Sequence, residues 1–269
     1  MPMPSHIHKT AIIADGAIIG ENVTIGANCC IGANVRIGDN CVLHPSVVID
    51  GHTQIGTGNQ IFPFAVLGLA PQHFRYAGEP STLVIGDNNQ IREHVTMHPG
   101  TAVGDMTTCV GSHGMFMAGS HIAHDCVIGD HVVMANGVQV GGHVHIGGRC
   151  YIGSLVGVHP FVRVGRNVII GGMSKVEHDV IPFSRVNGNQ CYLDGINIIG
   201  LERNGFSRES IRHIRAAFKD IFKAEGRFDE RVALAMKTYA DNEDVKEILD
   251  FITTNEKRPI MQVNRHGKS

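Results

Sequence analysis

The chain has 269 residues, 43% of them hydrophobic, enough for a sizeable core in one or two domains. Its 23 basic and 25 acidic residues leave a net charge of -2, so no global basic field advertises a nucleic-acid partner. No apolar run approaches the roughly 20 residues that span a bilayer, and the opening "MPMPSHIHKT" lacks the apolar stretch of a signal peptide, which points to the cytoplasm. Seven cysteines without a CxxC pair read as small buried hydrophobes in a reducing compartment.

From Ile7 a step of six meets Ile or Leu each time: Ile13, Ile19, Ile25, Ile31, Ile37, Leu43, Ile49, Ile55, Ile61 and Leu67. The phase resumes at Ile85, Ile91 and Met97, and again, one residue displaced, from Val110 and Phe116 to Val176. Gly often follows the anchor, and Asn recurs three after it, at Asn22, Asn28, Asn34, Asn40 and Asn88. Both tolerate the positive φ of tight turns. No α-helix has this period, and β-branched anchors suit short strands. A hexapeptide repeat predicts a parallel β-helix, three hexads closing a triangular coil of roughly 18 residues. Coils then stack about 4.8 Å apart.

Two segments break the rhythm, at 68–84 and 98–109, and must leave the prism as loops. Long excursions on a rigid scaffold are usually functional. After Ile181 the repeat fades. "FSRESIRHIRAAFKDIF" predicts a helix capped by Ser207, with Ile211, Ile214, Phe218, Ile221 and Phe222 on one stripe. "DERVALAMKTYA" and "NEDVKEILDFITT" predict two more, and "RPIMQVNRHGKS" reads as a frayed tail. The organisation expected is therefore a β-helix over 1–190 and a small α-helical domain over 191–269.

Stacking by coils gives the stretch "AGSHIAHDCVIG" a meaning. Counting from His124, His143, His159 and His178 each fall within one residue of register, along one edge. Histidine is the side chain best suited to move protons near neutral pH. Asp125 follows His124 directly and could polarise it; "VGGH", ending at His143, offers a Gly N–H to a developing oxyanion. A general base beside a backbone donor fits acyl transfer. With no Ser-His-Asp constellation, direct attack by a substrate hydroxyl or amine is favoured.

The stretches "HIAHDC", "YAGEPS", "IREHVTMHPGT" and "GNQCYLDGINIIGLERNGFSRESI", in the order prism then helices, resemble the UDP-N-acetylglucosamine O-acyltransferases of lipid A biosynthesis over essentially the whole chain. The resemblance implies an all-β left-handed parallel β-helix followed by a small α-helical C-terminal domain. It implies a homotrimer with sites between prisms, no cofactor and no metal. The reaction implied moves a 3-hydroxyacyl chain from acyl carrier protein to the 3-hydroxyl of a UDP-sugar. It places His124 on the catalytic base, Asp125 on its partner and Gly142 on the backbone donor. Gln72, His73, Arg75, His121, His143, His159, Asn197 and Arg203 fall on substrate positions, and Gly172 on the position that sets acyl-chain length. Arg203, Arg208, Arg212, Arg215 and Lys219 would offer a cationic face to an acidic carrier. The chain departs from the family pattern at His73, Arg75, Pro160, Ile199 and Asn204, which leaves the acceptor less specified than the chemistry. The competing readings are an N-acyltransferase on an amino-sugar nucleotide, a coenzyme A-dependent acetyltransferase, a non-catalytic paralogue, and a zinc site on His121, His124 and His143 like that of the γ-class carbonic anhydrases.

Overall fold

The computed structural model describes residues 6–254 and 257–264. From His6–Ile7 to Lys175–Val176 the hexads form short strands joined by tight turns and wound into a left-handed parallel β-helix. The strands align in three sheets, one per face of a triangular prism. Register runs anchor to anchor, Ile7 beside Ile25 and Ile25 beside Leu43.

Successive strand side chains point to opposite faces, so each anchor turns inward. Ile25, Ile31, Leu43, Ile61, Ile122, Ile152 and Ile170 are at most 2% exposed. Burying one such side chain stabilises the coil by about 1.5–3 kcal/mol. A second inward position, two residues before the anchor, takes Val35, Val47, Val132 and Val144. Cys29, Cys41, Cys126 and Cys150 occupy that same position, and the thiols of Cys126 and Cys150 donate to Gly141 O and Gly165 O at 3.1 Å. Burial pushes those two thiols up to about 12, which keeps them inert. The expected burial holds for these four, while Cys30 is exposed and Cys109 and Cys191 are half-buried.

The corners require left-handed backbone. Asn22, Asn28, Asn40 and Asn88 supply it, whereas Asn34 does not adopt it. Asp125 and His143 stand at corners with φ of 58° and 60°. The excursions run over 68–81 and 98–106, shorter than the rhythm suggests, because Thr82–Ile85 and Thr107–Val110 are four-residue strands paired to each other. Ile61 lies beside Ile91 and Ile91 beside Phe116, so the ladder closes across both.

The strand Ser184–Asn187 extends one sheet and turns back as an antiparallel hairpin with Tyr192–Ile196; residue 190 lies in that turn. Four α-helices follow among the described residues: α1 (Ile198–Arg203), α2 (Arg208–Phe218), α3 (Phe228–Thr238) and α4 (Glu243–Thr253). The short α1 has no counterpart in the sequence reading. Ser207 caps α2 as expected, its Oγ accepting from Ser210 N–H at 3.0 Å. A π-turn over Lys219–Lys223 continues α2 and buries Ile221 and Phe222 with Ile211, Ile214 and Phe218. Against the prism, α4 sets Glu247 on the Arg166 guanidinium at 2.9 Å and the Phe251 ring under Arg163 at 4.4 Å.

The tail is not frayed over its described part. Ile260 bridges to Asp179, Val263 bridges to Leu193, and Met261 is 1% exposed. Apolar burial holds this strap against the prism, a force that a twelve-residue polar string does not advertise. Its last five residues, 265–269, lie outside the described ones. Among the described residues no helix is long and apolar enough to cross a membrane.

Candidate active site

The strand His121–Ile122 ends at a prism corner, and the turn that follows carries His124 and Asp125. Adjacent side chains usually diverge, but the positive φ of Asp125 swings its carboxylate back toward its neighbour. Asp125 Oδ2 accepts from His124 Nδ1 at 2.8 Å. That bond assigns the proton to Nδ1 and leaves Nε2 as the acceptor. Asp125 is 1% exposed. Burial works to raise its carboxyl, but hydrogen bonds from the Thr101 hydroxyl, the Thr101 N–H and His124 outweigh it and hold the group below the usual carboxylate range.

One coil on, His143 meets the His124 ring edge-on at 5.0 Å and brings Nε2 to 3.9 Å from Asp125 Oδ2. Burial foremost keeps His143 below the usual imidazole value, and Asp125 only partly offsets it. The ring stacked on His143, at 4.4 Å, belongs to Phe161 and not to His159. Residue 161 is the true coil neighbour of 143, whereas His159 begins the turn and its Nδ1 meets the Arg258 guanidinium. The expected four-histidine edge is thus a His124–His143–Phe161 column.

Gly142 lies buried beneath the base. A Cβ there would sit 2.5 Å from His124 Cε1 and 2.6 Å from Nε2, so only glycine lets the imidazole rest on this backbone. Its N–H makes no hydrogen bond among the described residues. The coil does not use that donor, since Pro160 stands at the equivalent place one turn later.

His121 Nδ1 pairs with the Thr96 hydroxyl at 2.7 Å. Burial first, then His98 and His124, push His121 down to about 4, so it is neutral at pH 7 and acts as a hydrogen-bonding group. The first loop brings the His73 ring to 4.7 Å from the His124 ring. Gln72 and Arg75 are exposed on the same loop.

A cleft of about 370 Å³ on the outer face of the sheet holding His121 is lined also by Val140, Val158 and His159. His124 stands at one edge of this sheet and the turn carrying Gly172 at the other. A Cβ on Gly172 would meet Ser154 O at 3.1 Å, a tight fit against backbone. Asn197 and Arg203 are not brought to the column. Asn197 caps α1, its Oδ1 accepting from Gly200 N–H at 3.1 Å and its Nδ2 donating to Asn167 O at 2.9 Å. Arg203 is exposed in the last turn of α1. The larger groove, about 910 Å³, runs between α4 and the prism and contains none of the predicted residues. The cations of its walls are already paired, Arg163 with Asp179 outside the lining and Arg166 with Glu247 within it, so the smaller cleft, which reaches Ala123 next to His124, is the better candidate.

Metal-ligand geometry among the described residues falls on His124, Asp125 and His143, within 4.8 Å of one another, and omits His121. Sequence reasoning missed Thr101, Glu79 and Arg258. The first two stand inside quoted motifs, but nothing in a linear pattern says which atoms their backbones and side chains reach.

Short coils with a buried His–Asp pair at one corner, closed by a helical module, place the molecule among the hexapeptide-repeat acyltransferases. A model described as "Bacterial transferase hexapeptide (six repeats)" matches residues 4–38, and one described as "Udp N-acetylglucosamine O-acyltransferase; Domain 2" matches 179–261. The chain is 50% identical to the acyl-[acyl-carrier-protein]–UDP-N-acetylglucosamine O-acyltransferase of Caulobacter vibrioides, over 94% of this chain and 97% of that one. It is 45% identical to the enzyme of that name from Rhizobium etli, over 98% and 97%. The solved UDP-N-acetylglucosamine acyltransferase of Francisella novicida superposes with a TM-score of 0.93 at 35% identity, covering 96% of this chain and 95% of that one. The chain belongs to the acyl-[acyl-carrier-protein]–UDP-N-acetylglucosamine O-acyltransferase family, and it is an acyltransferase.

Proposed function

We propose that the chain transfers a long 3-hydroxyacyl group from the thioester of acyl carrier protein to the 3-hydroxyl of UDP-N-acetylglucosamine, in lipid A biosynthesis. His124 Nε2 takes the proton of the sugar hydroxyl as its oxygen attacks the thioester carbonyl. Asp125 stabilises the imidazolium that forms. The Gly142 N–H faces the oxyanion of the tetrahedral intermediate. The C–S bond then breaks, the carrier thiolate recovers the proton from His124, and the ester remains on the sugar. No acyl-enzyme forms.

The observation that carries this reading is the 2.8 Å bond from His124 Nδ1 to buried Asp125, which leaves Nε2 to accept a proton while the ring rests on Gly142. The acyl chain lies in the apolar cleft toward Gly172, which leaves that end open. Asn197 and Arg203, remote from their own chain's base, serve the nucleotide side of a neighbouring subunit in a homotrimer. Exposed Phe64, Phe74, Leu155 and Met173 supply apolar surface for such an assembly. Seven unpaired cysteines suit a cytoplasmic enzyme. The test is an assay of pure protein with 3-hydroxyacyl-carrier thioesters and UDP-sugars bearing either a hydroxyl or an amine at carbon 3. Ester formation supports the reading; turnover of the amine alone replaces it with N-acylation.

Two variants probe the substrates. Arg75 is exposed on the loop beside the base, where a guanidinium suits the acceptor's phosphates. Arg75→Ala is expected to raise the acceptor KM roughly tenfold, a loss on the scale of one charge-assisted hydrogen bond, with kcat little changed. An unchanged acceptor KM would remove the loop from acceptor binding. On α2, Arg208 and Arg212 are exposed, Arg212 only 3.7 Å from Glu209. Reversing both charges is expected to raise the KM for the acidic carrier and to flatten its salt dependence. A donor KM that ignores the reversal would leave α2 an ordinary solvated face.

A further inference from the structure

The second excursion is a clamp built around one carboxylate. Thr101 gives Asp125 both of its donors: the N–H bonds Oδ1 at 3.0 Å and the hydroxyl bonds Oδ2 at 2.6 Å. Thr101 is 1% exposed, and its own carbonyl accepts from Gly104 N–H at 3.0 Å and Met106 N–H at 3.3 Å, closing the loop on itself. Gly104 passes so near the carboxylate that a Cβ there would overlap it. With His124 as the third donor, Asp125 is held from three sides.

The first excursion bolts onto this clamp. Glu79 accepts from Ala102 N–H through Oε1 and from Ala77 N–H through Oε2, each at 2.8 Å. The Ala102 and Ala77 bonds, in that order, hold Glu79 below the usual carboxylate range, so it is anionic at neutral pH. One carboxylate thereby ties the loop that carries His73 and Arg75 to the residue next to Thr101.

We propose that Thr101 is the positioning residue of the His124–Asp125 pair, and that Glu79 locks the loop that presents it. The proposal rests on the reading of His124 as general base. Thr101 touches no reacting atom. It fixes the direction of Asp125: its hydroxyl holds Oδ2, the oxygen that faces His124, and without that bond the carboxylate is free to turn about its own side-chain torsions away from the imidazole. A base misdirected by about 1 Å loses on the order of 10² in rate, so the hydroxyl matters through geometry.

The test compares Thr101→Val, which keeps the shape and removes the hydroxyl, with Thr101→Ser, which keeps the hydroxyl. Thr101→Val is expected to lower kcat by about 10- to 100-fold, with both KM values within about twofold. An Asp125 that turns away from His124 stabilises the imidazolium less, so the acidic limb of kcat/KM moves to lower pH. Thr101→Ser restores both kcat and the limb. Unchanged kcat with an unmoved limb in Thr101→Val overturns the proposal, and so do equal losses in the Val and Ser variants. If Thr101→Val does not fold, Glu79→Ala loosens the same clamp from the rim. Lower kcat with the limb displaced supports the proposal there, and a wild-type profile overturns it. His124→Ala, run alongside, separates the two ideas. Retained turnover in it removes the base and this role together. Lost turnover in it, with a wild-type profile for Thr101→Val, removes the positioning role alone.

Discussion

His124→Ala folds as the wild type does and loses about 10²–10⁴-fold of its acyl-transfer rate, the contribution a general base makes. Folding survives because His124 is a turn residue outside the anchor ladder; the neighbouring anchors Ile122 and Ile128 stay buried, at 0% and 2% exposure. The loss falls on kcat, since the hydroxyl proton has to move only as the thioester is attacked. Asp125 would then remain buried beside Thr101 with one donor fewer, at a cost on the order of 1–3 kcal/mol in stability. The measurement is kcat with saturating donor and acceptor, beside a thermal midpoint. Turnover within a few-fold of wild type would take His124 out of the mechanism.

Gly142→Ala is the second large effect. The added methyl would start 2.5 Å from His124 Cε1, well inside contact distance, and the coil beneath it cannot yield. His143, the next residue, donates its N–H to His124 O at 2.9 Å, and Gly142 O accepts from Phe161 N–H at 3.0 Å. The imidazole must therefore move, and it leaves both Asp125 and the oxyanion donor. A displacement of about 1 Å predicts a loss of roughly 10²-fold in kcat. Overpacking of this kind costs about 1–3 kcal/mol, so the prism remains folded. Circular dichroism and the thermal midpoint check the fold, and single-turnover transfer checks the chemistry. Wild-type turnover in a folded Gly142→Ala would show that the ring does not need to rest on this glycine.

The two variants remove different things from one place. His124→Ala deletes the proton acceptor, while Gly142→Ala keeps it and spoils its aim. A mechanism that depends on both the His124 base and the Gly142 N–H beside it requires both to fail. Loss in His124→Ala alone would leave the acid–base chemistry and discard the oxyanion geometry.

The prism was legible in the chain because a hexad is a local rule. Ile25, Leu43 and Ile61 need only face inward at a fixed interval, and each coil repeats the solution of the last. The apolar stripe and the Ser207 cap made α2 legible for the same reason: every contact that defines them spans a few residues. Coil counting also found His143 beside His124, because stacking converts sequence distance into neighbourhood. It failed for His159, where a displacement of two residues moves a side chain from the column to the start of the turn, against Arg258. What the repeat cannot encode is where its interruptions go. Thr101 reaches Asp125, and Glu79 reaches Ala102, across loops whose paths follow no period. The strap at Ile260–Val263 is held against the end of the prism and the hairpin, from which the helices separate it in the chain, so its sequence alone reads as a loose end. The periodic backbone, its inward face and the corner histidines were determined by the sequence itself, through steric and hydrophobic preferences that act residue by residue. The pairing of His124 with Asp125, the glycine under the ring and the clamp of the two loops were decided by tertiary structure. Each depends on a dihedral or a distance that exists only once the coils are stacked.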